Sequence, residues 1–361
     1  MTPQDTPASQ ATVAGVGRSH PASLAGPRPA DMAKNRRLGL LFTVARLGIG
    51  VALLVYLGRS GLLDWAALRG FLVAWPITVL AVTLLLLVVV MMAARVCVLM
   101  APSGLQLSLG ASVRLTLIGM FFNACLPGST GGDALRIYYA SRGNTGRRTE
   151  VATIFVLDRV VGLFALLLWP LLAAPFFPGL VANAVLRGLL GAAAVAAAVI
   201  AVLFFVAGSP RALGSSAVGA VLARIPGSRY VRTVLDTLAV LRRMPGTLAA
   251  AVGISLIVHT IGAGVVLLVA QAINPTGAAW EMSLLIPLGS LANTVPLTPG
   301  GLGVGEAVLD RLFALAGLSG GAETMLGWRV LLVTVSMLGL VFYLQGGRRF
   351  VYHTRVGRGP S

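Results

Sequence analysis

Apolar positions in this chain come in long unbroken blocks, without the period of 2 or 3.6 that marks a half-buried strand or helix. Uncharged stretches run over Phe71–Ala94, Val160–Leu186, Gly188–Gly208, Thr247–Trp280 and Val330–Gly347. About 20 apolar residues cross a hydrocarbon core as an α-helix, so each block reads as a membrane span. Thr247–Trp280 holds one span plus a loop near Asn274-Pro275, and Val160–Leu186 is interrupted by Pro170, Pro175 and Pro178. The last span is expected to start a turn before Val330 and so to carry Arg329. Leu38–Leu57 follows Arg36-Arg37 and has no small-residue cleavage site behind it. It is too long for the apolar part of a signal peptide and reads as a retained first span, which brings the expected crossings to six.

Two further apolar segments, 111–135 and 282–316, are each cut at the centre by a Pro/Gly cluster. The first is Pro127-Gly128-Ser129-Thr130-Gly131-Gly132, the second Pro296-Leu297-Thr298-Pro299-Gly300-Gly301. Such clusters stop a helix, and non-helical backbone at membrane depth survives only inside protein or beside water. Both segments read as re-entrant hairpins of two half-helices, with ordinary kinked spans as the alternative. The order asparagine, proline, glycine pair, acid occurs in both, starting at Asn123 and at Asn293, 170 residues apart. Broken segments at corresponding places in two halves point to a transporter's binding site. Entry from opposite faces makes the expected architecture an inverted repeat: an all-α polytopic membrane protein with six full spans and two broken re-entrant hairpins.

Charge supports the membrane reading and orients it. Only 11% of residues are charged against 57% hydrophobic, too few to coat a soluble protein of this length. The net charge of +17 comes from 27 Arg and one Lys. Nineteen of these basic residues fall in the tail 1–37, the loops 136–148 and 209–246, and the tail 348–361, whereas only Arg59 and Arg69 fall in the intervening loops. The positive-inside rule then makes both termini cytoplasmic, and this dispersed pattern is not that of a nucleic-acid-binding face. Residues 1–37, rich in Pro, Ser and Gly, are expected to be a disordered tail, followed by a membrane domain over 38–347. Within 209–246, Val231, Val234, Leu235, Leu238 and Leu241 recur at helical spacing. That helix lies in the headgroup plane or serves as a structural bracket.

Charges beside the broken segments are costly at membrane depth, about 2.5–3.5 kcal/mol each by insertion scales. Asp133 and Arg136 share a helix face if a helix starts after Gly132; Asp158-Arg159 begin the next span, and Glu306, Asp310 and Arg311 follow the second break. They form either static ion pairs that fix packing or a polar midplane site. In the second reading, helix N-termini and the guanidinium groups of Arg136, Arg159 and Arg311 hold a phosphate, with Asp133, Asp158 and Glu306 as counter-charges. No G-x4-G-K-[ST] or D-x-D occurs, and His20, His259 and His353 are too scattered for a metal site or a triad. No cofactor is therefore expected. His259, alone in a span, reads as a packed polar residue, and Cys97 and Cys125 as buried packing.

The string N-x3-P-G-x2-G-G-D-x2-R, then D-R, then P-x2-P-G-G-x-G-x2-E resembles the flippase-like membrane family that includes the N-terminal transmembrane region of bacterial lysylphosphatidylglycerol synthases. The resemblance spans about 38–347. It implies a lipid-translocating bundle whose polar signature falls on Asn123, Gly131, Gly132, Asp133, Arg136, Asp158, Arg159, Pro299, Gly300, Gly301 and Glu306. The synthases' soluble aminoacyl-transfer domain has no room in the 14 residues after Gly347, so aminoacylation of lipid by this chain alone is not expected. The expectation is a flippase of the inner (cytoplasmic) membrane acting on an anionic phospholipid or a polyprenyl-phosphate-linked intermediate, with homo-oligomerisation left open. The alternatives are a membrane-embedded transferase using a polyprenyl-phosphate donor, or an accessory subunit of a lipid-modifying enzyme.

Overall fold

A computed structural model describes residues 73–125, 131–144, 146–207, 228–273, 279–294 and 303–346, all within the unit 43–361. All regular structure among them is helical. In chain order the helices are α1 Trp75–Met100, α2 Leu109–Cys125, α3 Gly131–Arg142, α4 Arg148–Ala173 and the one-turn α5 Pro178–Ala182. They continue with α6 Ala184–Ala207, α7 Ser228–Arg242, α8 Pro245–Ile273, α9 Ala279–Ala292, α10 Val304–Leu315 and α11 Gly321–Gly346. Five, namely α1, α4, α6, α8 and α11, are long and apolar enough to cross a bilayer. The expected first span, 38–57, lies outside the described residues, as do both Pro/Gly breaks and the two tails.

The spans keep their expected places but not their expected ends. α1 continues through Arg95, α4 begins twelve residues before Val160 and takes in Glu150, Asp158 and Arg159, and α11 begins nine before Val330. A charge ends a transmembrane helix only when it must reach water. Arg95, Asp158 and Arg329 instead find partners inside the protein, so the helices run on through them. Likewise 136–148 is helical as far as Arg142, and Arg136 is buried within it rather than held in a loop. Pro170 and Pro287 sit inside α4 and α9.

The helices recur in one order. Trp75 and Pro245, then Leu109 and Ala279, start helices 170 residues apart. Gly131 and Val304, then Arg148 and Gly321, do so 173 apart, the three extra residues falling at the second break. α3 and α10 are both 12 residues long, α4 and α11 both 26. Packing follows the same rule. α2 lies against α3 and α9 against α10; α1 crosses α8; α2 packs on α11, and α9 on α4. Apolar side chains fill the contacts, with Leu85, Val89, Val265 and Val269 between α1 and α8 and Leu285, Leu309 and Phe313 around α9 and α10.

α7 shows why an amphipathic pattern appeared in 209–246. Thr237 and Leu241 are buried against the bundle and Leu238 packs beside them, while Arg232, Asp236 and Arg243 are exposed.

Candidate functional site

In both broken segments an asparagine at the end of the first helix meets a glycine at the start of the second. In the first, the Gly132 N–H donates to Asn123 Oδ1 at 2.9 Å. A β-carbon at Gly132 would run into the Gly119 carbonyl, so glycine is what lets α3 lie directly on α2. Asp133 in the first turn and Arg142 in the last suit the dipole of α3.

One turn along from Asp133, Arg136 folds back over α2. Its Cδ comes within 2.5 Å of where a Gly119 β-carbon would stand, and its guanidinium carbon lies 4.9 Å from the centre of the Phe155 ring. Arg136 is 4% exposed. Its hydrogen bonds are long, Nη1 to Asp133 Oδ1 at 3.4 Å and Nη2 to Thr116 Oγ1 at 3.3 Å, and its Nε has no partner among the described residues. A guanidinium offers five donors in a planar fork. Arg159 reaches Asp133 from α4, its Nη2 donating to both carboxylate oxygens at 2.8 and 2.6 Å.

Asp158, next to Arg159, faces elsewhere. It accepts from Arg95 Nε at 2.7 Å, and Arg95 Nη1 donates to Ser255 Oγ on α8 at 2.7 Å. The Asp158 carboxylate still acts electrostatically on Arg136. The group therefore contains three arginines and two aspartates, a surplus of one positive charge; Arg95, Asp158 and Arg136 are buried, whereas the Arg159 side chain is half exposed.

The second segment repeats the frame with different chemistry. Gly303 caps α10 at φ +78°, a conformation glycine adopts without strain. Its N–H donates to Glu306 Oε2 at 2.8 Å, the reciprocal half of a capping box. From α11, Arg329 donates through Nε to Glu306 Oε1 at 2.5 Å and through Nη2 to Asn293 Oδ1 at 2.9 Å. Gly289 and Gly305 correspond to Gly119 and Gly132, and the side chain packed on Gly289 is Leu309, 2.8 Å from where a β-carbon would stand. Leu309 thus occupies the place that Arg136 holds in the first segment.

A cavity of about 280 Å³ opens beside Arg329. His259, Ser290, Asn293 and Trp328 line it together with apolar side chains of α4, α8, α9 and α11. The His259 Nε2 donates to the Gly162 carbonyl at 3.0 Å, and α4, which carries Asp158 and Arg159, also borders this cavity through Leu166.

Of the residues singled out from sequence, Asn123, Gly131, Gly132, Asp133, Arg136 and Arg159 come together, with Asp158 behind Arg136, and Asn293 joins Glu306. Arg311 does not join them; it is exposed on α10, and the partner of Glu306 is Arg329. Pro299, Gly300 and Gly301 lie outside the described residues. Sequence reasoning missed Arg95, Thr116 and Ser255, and did not pair Arg329. One available signal was overlooked: glycine precedes each asparagine by four residues, at 119 and 289.

No curated protein and no solved structure matches this chain. The model of the lysylphosphatidylglycerol synthase transmembrane region matches residues 43–339. With its five long apolar helices, this protein is a multi-pass membrane protein that belongs to that family.

Proposed function

We propose that the protein moves a phospholipid or lipid-linked intermediate across the cytoplasmic membrane. Arg136 and Arg159 hold the headgroup phosphate, and Asp133 balances them when it is absent. The observation that carries this reading is Arg136: a guanidinium removed from water, incompletely hydrogen-bonded and in a group with surplus positive charge. Burial of an under-paired charge is expensive, and a planar two-oxygen anion is the ligand its fork fits.

The matching succession of helices supports an inverted repeat. Adding the 38–57 span, each half has three crossings and one re-entrant hairpin, so that α8 runs opposite to α1. Both termini are then cytoplasmic by the positive-inside rule, the first hairpin enters from the cytoplasm and the second from outside. Rocking of the halves about their shared contacts exposes the site to each face in turn.

The test is movement of headgroup-labelled lipids by the purified protein in liposomes, comparing an anionic phospholipid with a polyprenyl phosphate. Movement is expected for one class and lost in Asp133→Ala. A folded protein that moves neither lipid overturns the proposal.

A further inference from the structure

We infer that the cavity beside Arg329 is a second anion-binding station, and that filling it requires Glu306 to take up one proton. This inference rests on the translocation reading above.

The two segments share a frame and differ by one charge. In the first, Arg136 and Arg159 share the carboxylate of Asp133, while Asp158 behind them is paired with Arg95. An anion arriving there meets surplus positive charge, and Asp133 keeps Arg159 as a partner and some contact with water. In the second, Leu309 replaces Arg136, and Arg329 is the cation the cavity presents. Arg329 is already clasped by Glu306 and Asn293. A phosphate oxygen pair that takes the guanidinium fork must draw it away from Glu306.

While Arg329 holds it, Glu306 has no contact with water to soften that loss. It is 0% exposed, and among the described residues it also accepts from the backbone N–H of Gly303, the cap of its helix. An anion and a bare carboxylate would then share one arginine in a buried space, which leaves an uncompensated charge. A proton on Glu306 removes it. The proton comes from water in the cavity and binds the carboxylate oxygen that Arg329, which lines the cavity, uncovers as it turns to the anion. When the anion leaves, the proton leaves with it and Arg329 returns to Glu306. One proton thus accompanies each anion through the second station, and none is needed at the first.

Other titratable groups on the packed elements do not replace Glu306 in this role. Asp310 and Arg311 lie further along α10, with the Asp310 carboxylate accepting from the Ala322 backbone N–H and Arg311 exposed. Glu281 is at the far end of α9 and Glu323 near the start of α11. His259 on α8 lines the cavity and is the second candidate proton acceptor, so it is tested directly.

The experiment uses the full chain in liposomes with a pH-sensitive dye inside. Labelled phosphatidylglycerol, labelled polyprenyl phosphate and inorganic phosphate form separate arms. Wild-type protein is expected to move protons together with the transported anion. Its rate is expected to fall by up to about tenfold per pH unit on the alkaline side, as one coupled proton requires. Glu306→Gln is expected to lose the proton signal and flatten the pH profile, whereas His259→Gln keeps the profile. Lipid movement by wild type without protons and at one rate from acidic to alkaline buffer overturns the inference; this arm does not depend on any variant folding. A retained profile in Glu306→Gln, or a flattened one in His259→Gln, overturns it as well. Movement of no lipid overturns the translocation reading instead. Proton-linked movement of inorganic phosphate alone upholds the station and overturns lipid as its occupant.

Discussion

Replacing Arg136 by methionine separates a binding residue from a structural strut. The side chain fills a similar volume, and the equivalent place in the second segment holds Leu309, so the frame accommodates an apolar residue there. A hydrogen bond to a charged group contributes about 1.5–3 kcal/mol when well made. The bonds of Arg136 are 3.3 and 3.4 Å long and its Nε is unpaired, so the loss is smaller than that range and offsets the desolvation already incurred. No carboxylate is stranded, because Asp133 keeps Arg159 and Asp158 keeps Arg95. The stability of Arg136→Met is therefore expected within about 1 kcal/mol of wild type, or above it. Arg95→Met is the contrast. It leaves Asp158, 1% exposed, without its cation, at a cost of about 3–5 kcal/mol, a fall on the order of 10 °C in unfolding midpoint. Lipid movement should respond in the other order. Loss of the Arg136 contact to phosphate is expected to cost at least about 2 kcal/mol, or roughly 30-fold in rate. The assay pairs thermal unfolding in detergent with the liposome measurement. Arg136→Met that unfolds as early as Arg95→Met, or that moves lipid at the wild-type rate, refutes the assignment.

Other substitutions test the frame around the two groups. Gly132→Ala drives a β-carbon into the Gly119 carbonyl, which cannot rotate away, and a loss of about 1–3 kcal/mol is expected in the unfolding midpoint. Gly289→Ala meets the flexible end of Leu309 and gains helix propensity, so a change within about 1 kcal/mol is expected by the same measurement. Arg311→Ala, at an exposed position, is expected to alter neither stability by more than about 0.5 kcal/mol nor the rate of lipid movement. Glu306→Ala leaves Arg329 with Asn293 but without its carboxylate; a loss of about 3–5 kcal/mol is expected in denaturation monitored by tryptophan fluorescence.

What the amino-acid order settled by itself was the class of protein and the neighbourhood of its two groups of charges. Block length against bilayer thickness is a one-dimensional property, so the spans at α1, α4, α6, α8 and α11 could be read from apolar runs. Pro/Gly clusters and the i, i+3 spacing of Asp133 and Arg136 are equally local. Partner choice was decided by tertiary structure. Helices that are apolar nearly all round carry no stripe to reveal which face turns inward, so nothing local says that Asp158 meets Arg95 while its neighbour Arg159 meets Asp133. The same rotation of α10 and α11 brings Arg329 to Glu306 and leaves Arg311 outside. Span ends were misjudged for a related reason: a charge was read as a boundary, and a charge with a buried partner is not one. The difference between Arg136 and Leu309 became meaningful only once Gly119 and Gly289 were seen to receive them in the same way. Equivalence between two halves of a chain is a relation between packed surfaces, and packing is what the linear order leaves open.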